Sequence, residues 1–442
     1  MNPVARPLPN LADIARASHV RFGMTDIDGV FRGKFVSGEK AAAMAQGGGS
    51  IAGAVFGWDI ADELLDNLSF TGPERGYPDI GLQLHLDTAR AVPWENDQWL
   101  LLGDHTQANG QALPICPRQL LKKVLQKAKA LGFEVKVGIE YEWFVLQETQ
   151  ASLREKDFRH LSTATFGMTN YSPFRMGVQQ AFVKDLLTFL PQMDIPLEAL
   201  HTEAGPGNFE AAIRYGDALE TADRAVLFKQ AVREIGQRHG LINTFMAKFS
   251  EAYAGCGGHL HQSLWQQGRS AFYDPEAPKG ISPVMAHYIA GQLHAMPDLM
   301  AIYAPFVNSY KRLVPNYLAP VQASWGIDDR NTSLRVIASQ GNAMRLETRT
   351  PGADANPYLA MAAAIASGLY GIEHQLPLTQ DETPALSQTL EQATARLKSS
   401  GLARELLGDE WVNHFVQTRE WEVRRYNRAV TDWELRRYLE LV

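Results

Sequence analysis

Cysteine is almost missing from this sequence. Its 442 residues hold two, Cys116 and Cys256, far apart and neither in a C-x-x-C pair. Neither a disulfide framework nor a thiolate zinc site is therefore expected. No run of eighteen apolar residues occurs, so no transmembrane helix and no membrane role are expected. The opening stretch, MNPVARPLPNLADIARASHV, lacks the apolar core of a secretory signal. A reducing, cytoplasmic setting is the expectation. A basic excess is lacking too. The formal net charge is −7, which argues against a nucleic-acid binder, whose surface would carry a basic face. Nor is there a G-x-x-x-x-G-K-[ST] run, which rules out a P-loop match.

What is there suffices for a large core. Hydrophobic residues make up 45% and charged residues 21%, ordinary values for a globular protein of two or three domains. Residues 11–18 read as a short helix, followed by a strand over His19–Asp26. The pair Asp28-Gly29 turns the chain into a second strand, Val30–Val36. Gly47-Gly48-Gly49-Ser50 reads as a flexible or tightly turning loop. Pro78–Asp87 and Trp99–Gly103 read as further strands, making 1–112 a small β-rich domain. Pro114 and Pro117 punctuate the chain, and 113–442 forms a second domain of alternating elements. Expected strands are Glu134–Leu146, Leu197–His201, Gly257–Leu264 and Ser333–Thr350. Expected helices are Arg118–Leu131, Gln180–Met193, Gly216–His239 and Pro357–His374, with a helical tail from Thr383. The class is α+β.

Four segments carry chemistry. In Gly138-Ile139-Glu140-Tyr141-Glu142, strand alternation puts both glutamates on one face. Neighbouring carboxylates repel unless a cation sits between them; the bland alternative is an edge strand with two solvated acids. Glu203 and Glu210 flank a Gly-Pro-Gly loop that permits a tight reversal, or else form a plain polar turn. His259 and His261 share a strand face behind a run of glycines. Arg345, Glu347 and Arg349 alternate plus, minus, plus, either as a surface ladder or as a site for a metal with anionic substrates. Further arginines stand at 312, 330 and 335. Together, five glutamates and one histidine supply two hard-cation sites of three protein ligands each. Such oxygen-rich sites suit Mg²⁺ or Mn²⁺ holding phosphate oxygens.

In order and spacing, these segments resemble glutamine synthetase of the bacterial type I group. The resemblance rests on Gly-x-Glu-x-Glu, His-x-Glu-x-Gly-Pro-Gly-x-x-Glu, Gly-His-x-His-x-Ser, Asn-Ser-Tyr-Lys-Arg-Leu-Val-Pro and Arg-x-Glu-x-Arg-x-Pro, and is strongest from Pro114 to Leu359. It implies a β-grasp-like N-terminal domain and a large catalytic domain built on an antiparallel sheet with helices. It implies that Glu142, Glu203 and Glu210 hold one metal and that Glu140, His259 and Glu347 hold another, two or three Mg²⁺ or Mn²⁺ per site. Gly255, Arg312 and Arg349 would bind glutamate. Glu198, His261, Ser263, Arg335 and Arg345 would line the ATP site, with Arg330 at the γ-phosphate; Arg330, Arg312 and Glu203 are the catalytic candidates. The implied chemistry is γ-glutamyl phosphate formation followed by amide formation, in a dodecamer of two hexameric rings.

Three departures bear on the nitrogen substrate. Ammonia-using members carry a glutamate on a flap where this chain has Leu318, within Pro315-Asn316-Tyr317-Leu318-Ala319-Pro320. Leucine neither holds a cation nor takes a proton. Their ammonium-binding aspartate is matched by Gln46–Ile51, which has no acid, with Asp59 nearby in another context; and the asparagine expected before Gly255 is Ala254. The expectation is a ligase that joins glutamate to an organic amine packed near Leu318, in amine catabolism, rather than to ammonium. A true glutamine synthetase and a non-catalytic regulator are the alternatives; the filled metal-ligand positions disfavour the latter. The Asn-Leu-Tyr-Asp segment used for adenylylation is missing, so no such control is expected.

Overall fold

The computed structural model describes residues 8–95, 98–168, 170–315, 317–379 and 383–442. Residues 1–7 of the opening stretch and Asn316 of the Leu318 turn lie outside the described residues.

The chain opens with a mixed sheet. Its strands are β1 (Val20–Thr25), β2 (Phe31–Val36), β3 (Gly49–Ala52), β4 (Asp79–Ala91) and β5 (Trp99–Thr106), in the order β2-β1-β5-β4-β3. β1 and β2 are antiparallel around Asp28-Gly29, where Gly29 takes φ 83°, as the turn chemistry predicts. β1 runs parallel to β5 at the centre. The helix Gly38–Gly47, unread in the sequence, leads into β3; Gly48 turns at φ 76° and Gly49–Ala52 pairs with β4. The glycine run is thus a helix end, a tight turn and a strand: the tight turn expected there is present at Gly48, and the flexible loop is not.

The second sheet is nine-stranded among the described residues. It contains β6 (Glu134–Leu146), β7 (Leu197–Thr202), β8 (Asn208–Asp217), β9 (Ile242–Thr244), β10 (Gly258–Gln266), β11 (Arg269–Ser270), β12 (Trp325–Ile327), β13 (Leu334–Ile337) and β14 (Arg345–Thr348). The main order is β12-β13-β14-β10-β6-β8-β7, antiparallel except for β12 beside β13. Ser333–Thr350 is not one strand. A short 3-10 turn, Gly341–Ala343, divides it into β13 and β14, which pair antiparallel; Gly341 supplies the positive φ of 58°.

Helices bury one face of this sheet. Ala218–Arg238 lays Ala222, Phe228, Val232 and Ile235 against it. Behind, Pro283–Tyr303 and Pro357–Glu373 pair closely. A Cβ on Gly291 would lie 2.2 Å from the Ser367 carbonyl, so only glycine permits that approach. Pro283–Tyr303 carries apolar residues nearly all round and hence no helical periodicity, which is why the sequence reading passed over it.

Buried ions tie the two sheets together. Arg118 bonds Asp223 with Nε and Nη2, both at 2.9 Å, and Asp104 of β5 with Nη1 at 2.8 Å. Arg419 pairs with Asp28 of the β1–β2 turn, and Asn356 donates to the Asp26 carbonyl at 3.1 Å. No helix among the described residues is long and apolar enough to cross a membrane.

Candidate active site

The alternation in β6 has a direct geometric consequence. Glu140 and Glu142 leave the strand on one face, and antiparallel register sets a partner beside each. Glu140 pairs with His259 on β10, and Glu142 with Glu210 on β8. One row further, His261 pairs with Glu347 on β14, and Glu347 with Arg335 on β13. A ridge of acids and imidazoles therefore crosses the middle of the sheet.

His259 sits among three carboxylates. Its Nδ1 is 3.8 Å from Glu140 and 3.6 Å from Glu347, and its Nε2 is 3.8 Å from Glu142. His261 Nε2 is 3.1 Å from Glu140. Ligand atoms of Glu140, His261 and Glu347 all fall within 4.8 Å of one another. The residues expected as one metal set thus converge, with His261 joining them from the group expected around the nucleotide.

Gly257 makes room for this cluster. A Cβ there would lie 2.4 Å from His259 Nε2 and 3.0 Å from Glu142 Oε1. Burial works to raise the Glu140 carboxyl, but the two histidines outweigh it and hold it well below the ordinary range. Burial pushes Glu142 up, and Glu210 across the ladder adds to that against the pull of His259. A half-buried, oxygen-rich donor set with like charges face to face is what a hard divalent cation relieves. The residues present fit Mg²⁺ or Mn²⁺.

Glu142, Glu203 and Glu210 are spaced more widely. Glu203 opens the turn after β7, where its Oε2 accepts the Ala204 amide at 2.8 Å. Two residues that the sequence reading missed border them. His201 Nε2 is 3.4 Å from Glu210, and the Tyr171 ring lies 4.6 Å from His201. Burial raises the Tyr171 phenol, and Glu203 and Glu210 raise it further. The i−2 placement of His201 before Glu203 was a usable signal; Tyr171 arrives from a distant loop and had none.

Beside the ridge opens a cavity of about 390 Å³, lined by Glu140, Glu198, Tyr215, His261, Ser263 and Arg345 among others. Four of the five residues expected at the nucleotide line it. The fifth, Arg335, instead meets Glu347 at 3.0 Å and Asp328 at 3.5 Å.

Arg349 extends from Glu347, 2.6 Å away, to the Leu318 carbonyl at 3.3 Å. Leu318 itself is 56% exposed and takes φ 55°, a left-handed conformation uncommon for leucine. Arg312 is buried, and its two terminal nitrogens each donate at 3.0 Å to the carbonyls of Thr350 and Arg349. Gly255 packs on its stem, where a Cβ would meet Arg312 Cγ at 2.7 Å. Arg330 is exposed in the turn between β12 and β13. Asp59 is engaged in its own turn, accepting the Ala61 and Glu63 amides at 2.8 and 2.9 Å.

Known proteins agree with this architecture. The glutamine synthetase catalytic domain matches residues 114–438. Type-1 glutamine synthetase 2 of Dictyostelium discoideum is 41% identical over 98% of this chain and 86% of its own length. Glutamate–isopropylamine ligase of a Pseudomonas species is 38% identical over 96% of this chain and 95% of its own. The solved GmaS/ADP complex superimposes with a TM-score of 0.85 at 28% identity, over 97% of this chain and 99% of that one. With a matching fold, a carboxylate–histidine ridge and a cavity beside it, the chain belongs to the glutamine synthetase family of ligases.

Proposed function

We propose that this ligase joins the side-chain carboxylate of L-glutamate to an organic amine, using ATP. Members of the family use ATP and divalent metal ions. The observation that carries the amine reading is Leu318, an apolar, exposed side chain on a turn whose carbonyl is held by Arg349. Ammonium gains nothing from an apolar wall, whereas an amine with a carbon body gains ~25 cal/mol per Å² buried. The similarity to a glutamate–isopropylamine ligase supports the same reading.

In this reading Glu140 and Glu347 hold one metal together with His259, His261 standing beside it, and Glu142, Glu203 and Glu210 hold another. Bound there, Mg²⁺ or Mn²⁺ would neutralise charge on phosphate oxygens. Glu198, His261, Ser263 and Arg345 receive the nucleotide in the cavity, with Arg335 and Arg330 towards its phosphates. Arg349 and the Gly255 backbone orient glutamate, and Arg312 braces them from beneath. A glutamate carboxylate oxygen attacks the γ-phosphorus and ADP leaves. The amine gives up its ammonium proton to solvent, its nitrogen attacks the acyl carbon and releases a second proton, and phosphate departs to leave a γ-glutamyl amide. We further assign the reaction to amine catabolism in the cytoplasm, residues 1–112 and 113–442 to separate domains, and the assembly to a dodecamer of two hexameric rings.

The test is phosphate release with glutamate, ATP and Mg²⁺, comparing ammonium with isopropylamine, butylamine and ethanolamine. Stimulation by an organic amine, with ammonium near background and the γ-glutamyl amide seen by mass spectrometry, is the expected result. Efficient turnover with ammonium and none with amines would overturn the reading in favour of a true glutamine synthetase.

A further inference from the structure

Three loops meet beside Leu318, and a single lysine fastens them. Lys248 is 8% exposed. Its backbone is clamped at both ends by Asn308, which accepts the Lys248 amide at 2.9 Å and donates to its carbonyl at 2.8 Å. Its ammonium donates to the Tyr253 carbonyl and lies 4.7 Å from the centre of the Tyr317 ring. Tyr253 in turn packs against the turn that carries Glu203, since a Cβ on Gly205 would lie 3.6 Å from Tyr253 Cβ. Tyr317 precedes Leu318, whose carbonyl reaches Glu347 through Arg349. The neighbouring Ala247 carbonyl accepts the Cys256 amide at 2.9 Å, next to Gly257 and the histidine strand. Lys248 is therefore anchored in the rim of the site, between the Glu203 turn and the Leu318 turn.

No carboxylate pairs with Lys248 among the described residues; Glu251, on the same loop, is exposed and makes no ion pair with it. The cation is held by a carbonyl and an aromatic face, groups that fix it without neutralising its charge. A second cation brought to this rim meets that fixed charge. At an effective dielectric of ~20, unit charges ~10 Å apart repel enough to shift an equilibrium roughly tenfold.

We propose that the Lys248 clasp is a specificity element that rejects acceptors with a second positive charge, so that the acceptor is a mono-cationic amine with an uncharged body resting on Tyr317 and Leu318. This rests on the amine-ligase reading above and narrows it to a class. Specificity here works by repulsion of the wrong substrate.

Butylamine and 1,4-diaminobutane share a chain length and differ by the second charge. The experiment compares their kcat/KM with wild type, Lys248→Met and Lys248→Arg at saturating glutamate, ATP and Mg²⁺. Wild type is expected to favour butylamine by at least tenfold. Lys248→Met should shrink that ratio about tenfold, and Lys248→Arg, which restores the charge, should retain it. A clasp that is only structural would lower both rates together and leave the ratio alone. Comparable use of both amines by wild type, or an unchanged ratio in Lys248→Met with wild-type melting behaviour, overturns the proposal while leaving the amine-ligase reading intact. Turnover with ammonium alone overturns both.

Discussion

Glu142 on β6 and Glu210 on β8 stand directly opposite one another in an antiparallel ladder. Like charges so placed destabilise a sheet by a few tenths to about 1 kcal/mol, and a divalent cation reverses the sign. Adding Mg²⁺ to metal-stripped protein should therefore raise the melting temperature, with a gain of ~2.7 kcal/mol at a hundred times the dissociation constant. Glu210→Gln should melt no lower than wild type without metal and should respond to Mg²⁺ much less. Scanning fluorimetry across a metal titration decides it; an unchanged response in the variant removes Glu210 from the metal set.

Gly257→Ala should fold but lose metal affinity and activity by at least about a hundredfold. Its methyl would occupy space 2.4 Å from His259 Nε2, pushing a ring that a site needs positioned within about half an ångström. Circular dichroism reports the fold and calorimetric Mg²⁺ titration the site. Unaltered Mg²⁺ binding would show that His259 has slack.

Leu318→Glu restores a carboxylate to the turn held by Arg349. The ratio of ammonium to butylamine turnover should rise about tenfold or more, because the acid favours a small cation while removing apolar wall. Phosphate release with each nitrogen source measures it. A ratio that does not move would separate Leu318 from the acceptor site.

Removing Arg118 should destabilise the whole chain. Its guanidinium is buried between Asp104 and Asp223, and Tyr358 donates to the same Asp223 at 2.5 Å. Arg118→Met leaves buried Asp223 with no cation and only the Tyr358 hydroxyl, while Asp104 keeps Lys122 at 2.6 Å and His85 at 2.9 Å, at a cost of about 3–5 kcal/mol. Urea midpoints for Arg118→Met and for the Arg118→Met, Asp223→Asn pair should show partial recovery in the double variant.

Two buried histidines predict acid sensitivity. Burial lowers His105 from 6.5 to about 4 and His414 from 6.5 to about 3. Both rings lie against Phe56. Folded values below the unfolded one mean that the unfolded chain binds more protons between them. Their contribution to stability is complete above pH 6.5 and is lost as pH falls towards 4 and 3, at up to about 1.4 kcal/mol per pH unit for each ring. His414→Leu should flatten the slope of urea midpoint against pH between 6.5 and 4.5. A slope equal to wild type would place the acid sensitivity elsewhere.

Spacing made much of the site legible, because strand alternation is a strict rule. Glu140 and Glu142, His259 and His261, and Arg345 and Glu347 each emerged on a shared face as i, i+2 pairs. Turn chemistry exposed the Asp28-Gly29 hairpin in the same way. Elements without a period were harder. Pro283–Tyr303 is apolar on nearly every side, and Glu210, which the sequence sets only as a flank of the Gly-Pro-Gly loop, is the third residue of a ten-residue strand. Tyr171 and Lys248 could not be found from spacing at all. Each reaches the site from another loop, and only tertiary packing records that meeting.

The register that builds the carboxylate ridge also sets a timetable for the growing polypeptide. β6 finds β8 soon after it is made, but β10 must close onto β6 across the long helix Ala218–Arg238, and β14, carrying Glu347, joins only after Pro283–Tyr303 has been laid down. Such distant pairings are slow to form. A nascent chain therefore exposes paired acids before their histidines have been made, and completes the carboxylate–histidine ridge only when most of the protein has left the ribosome.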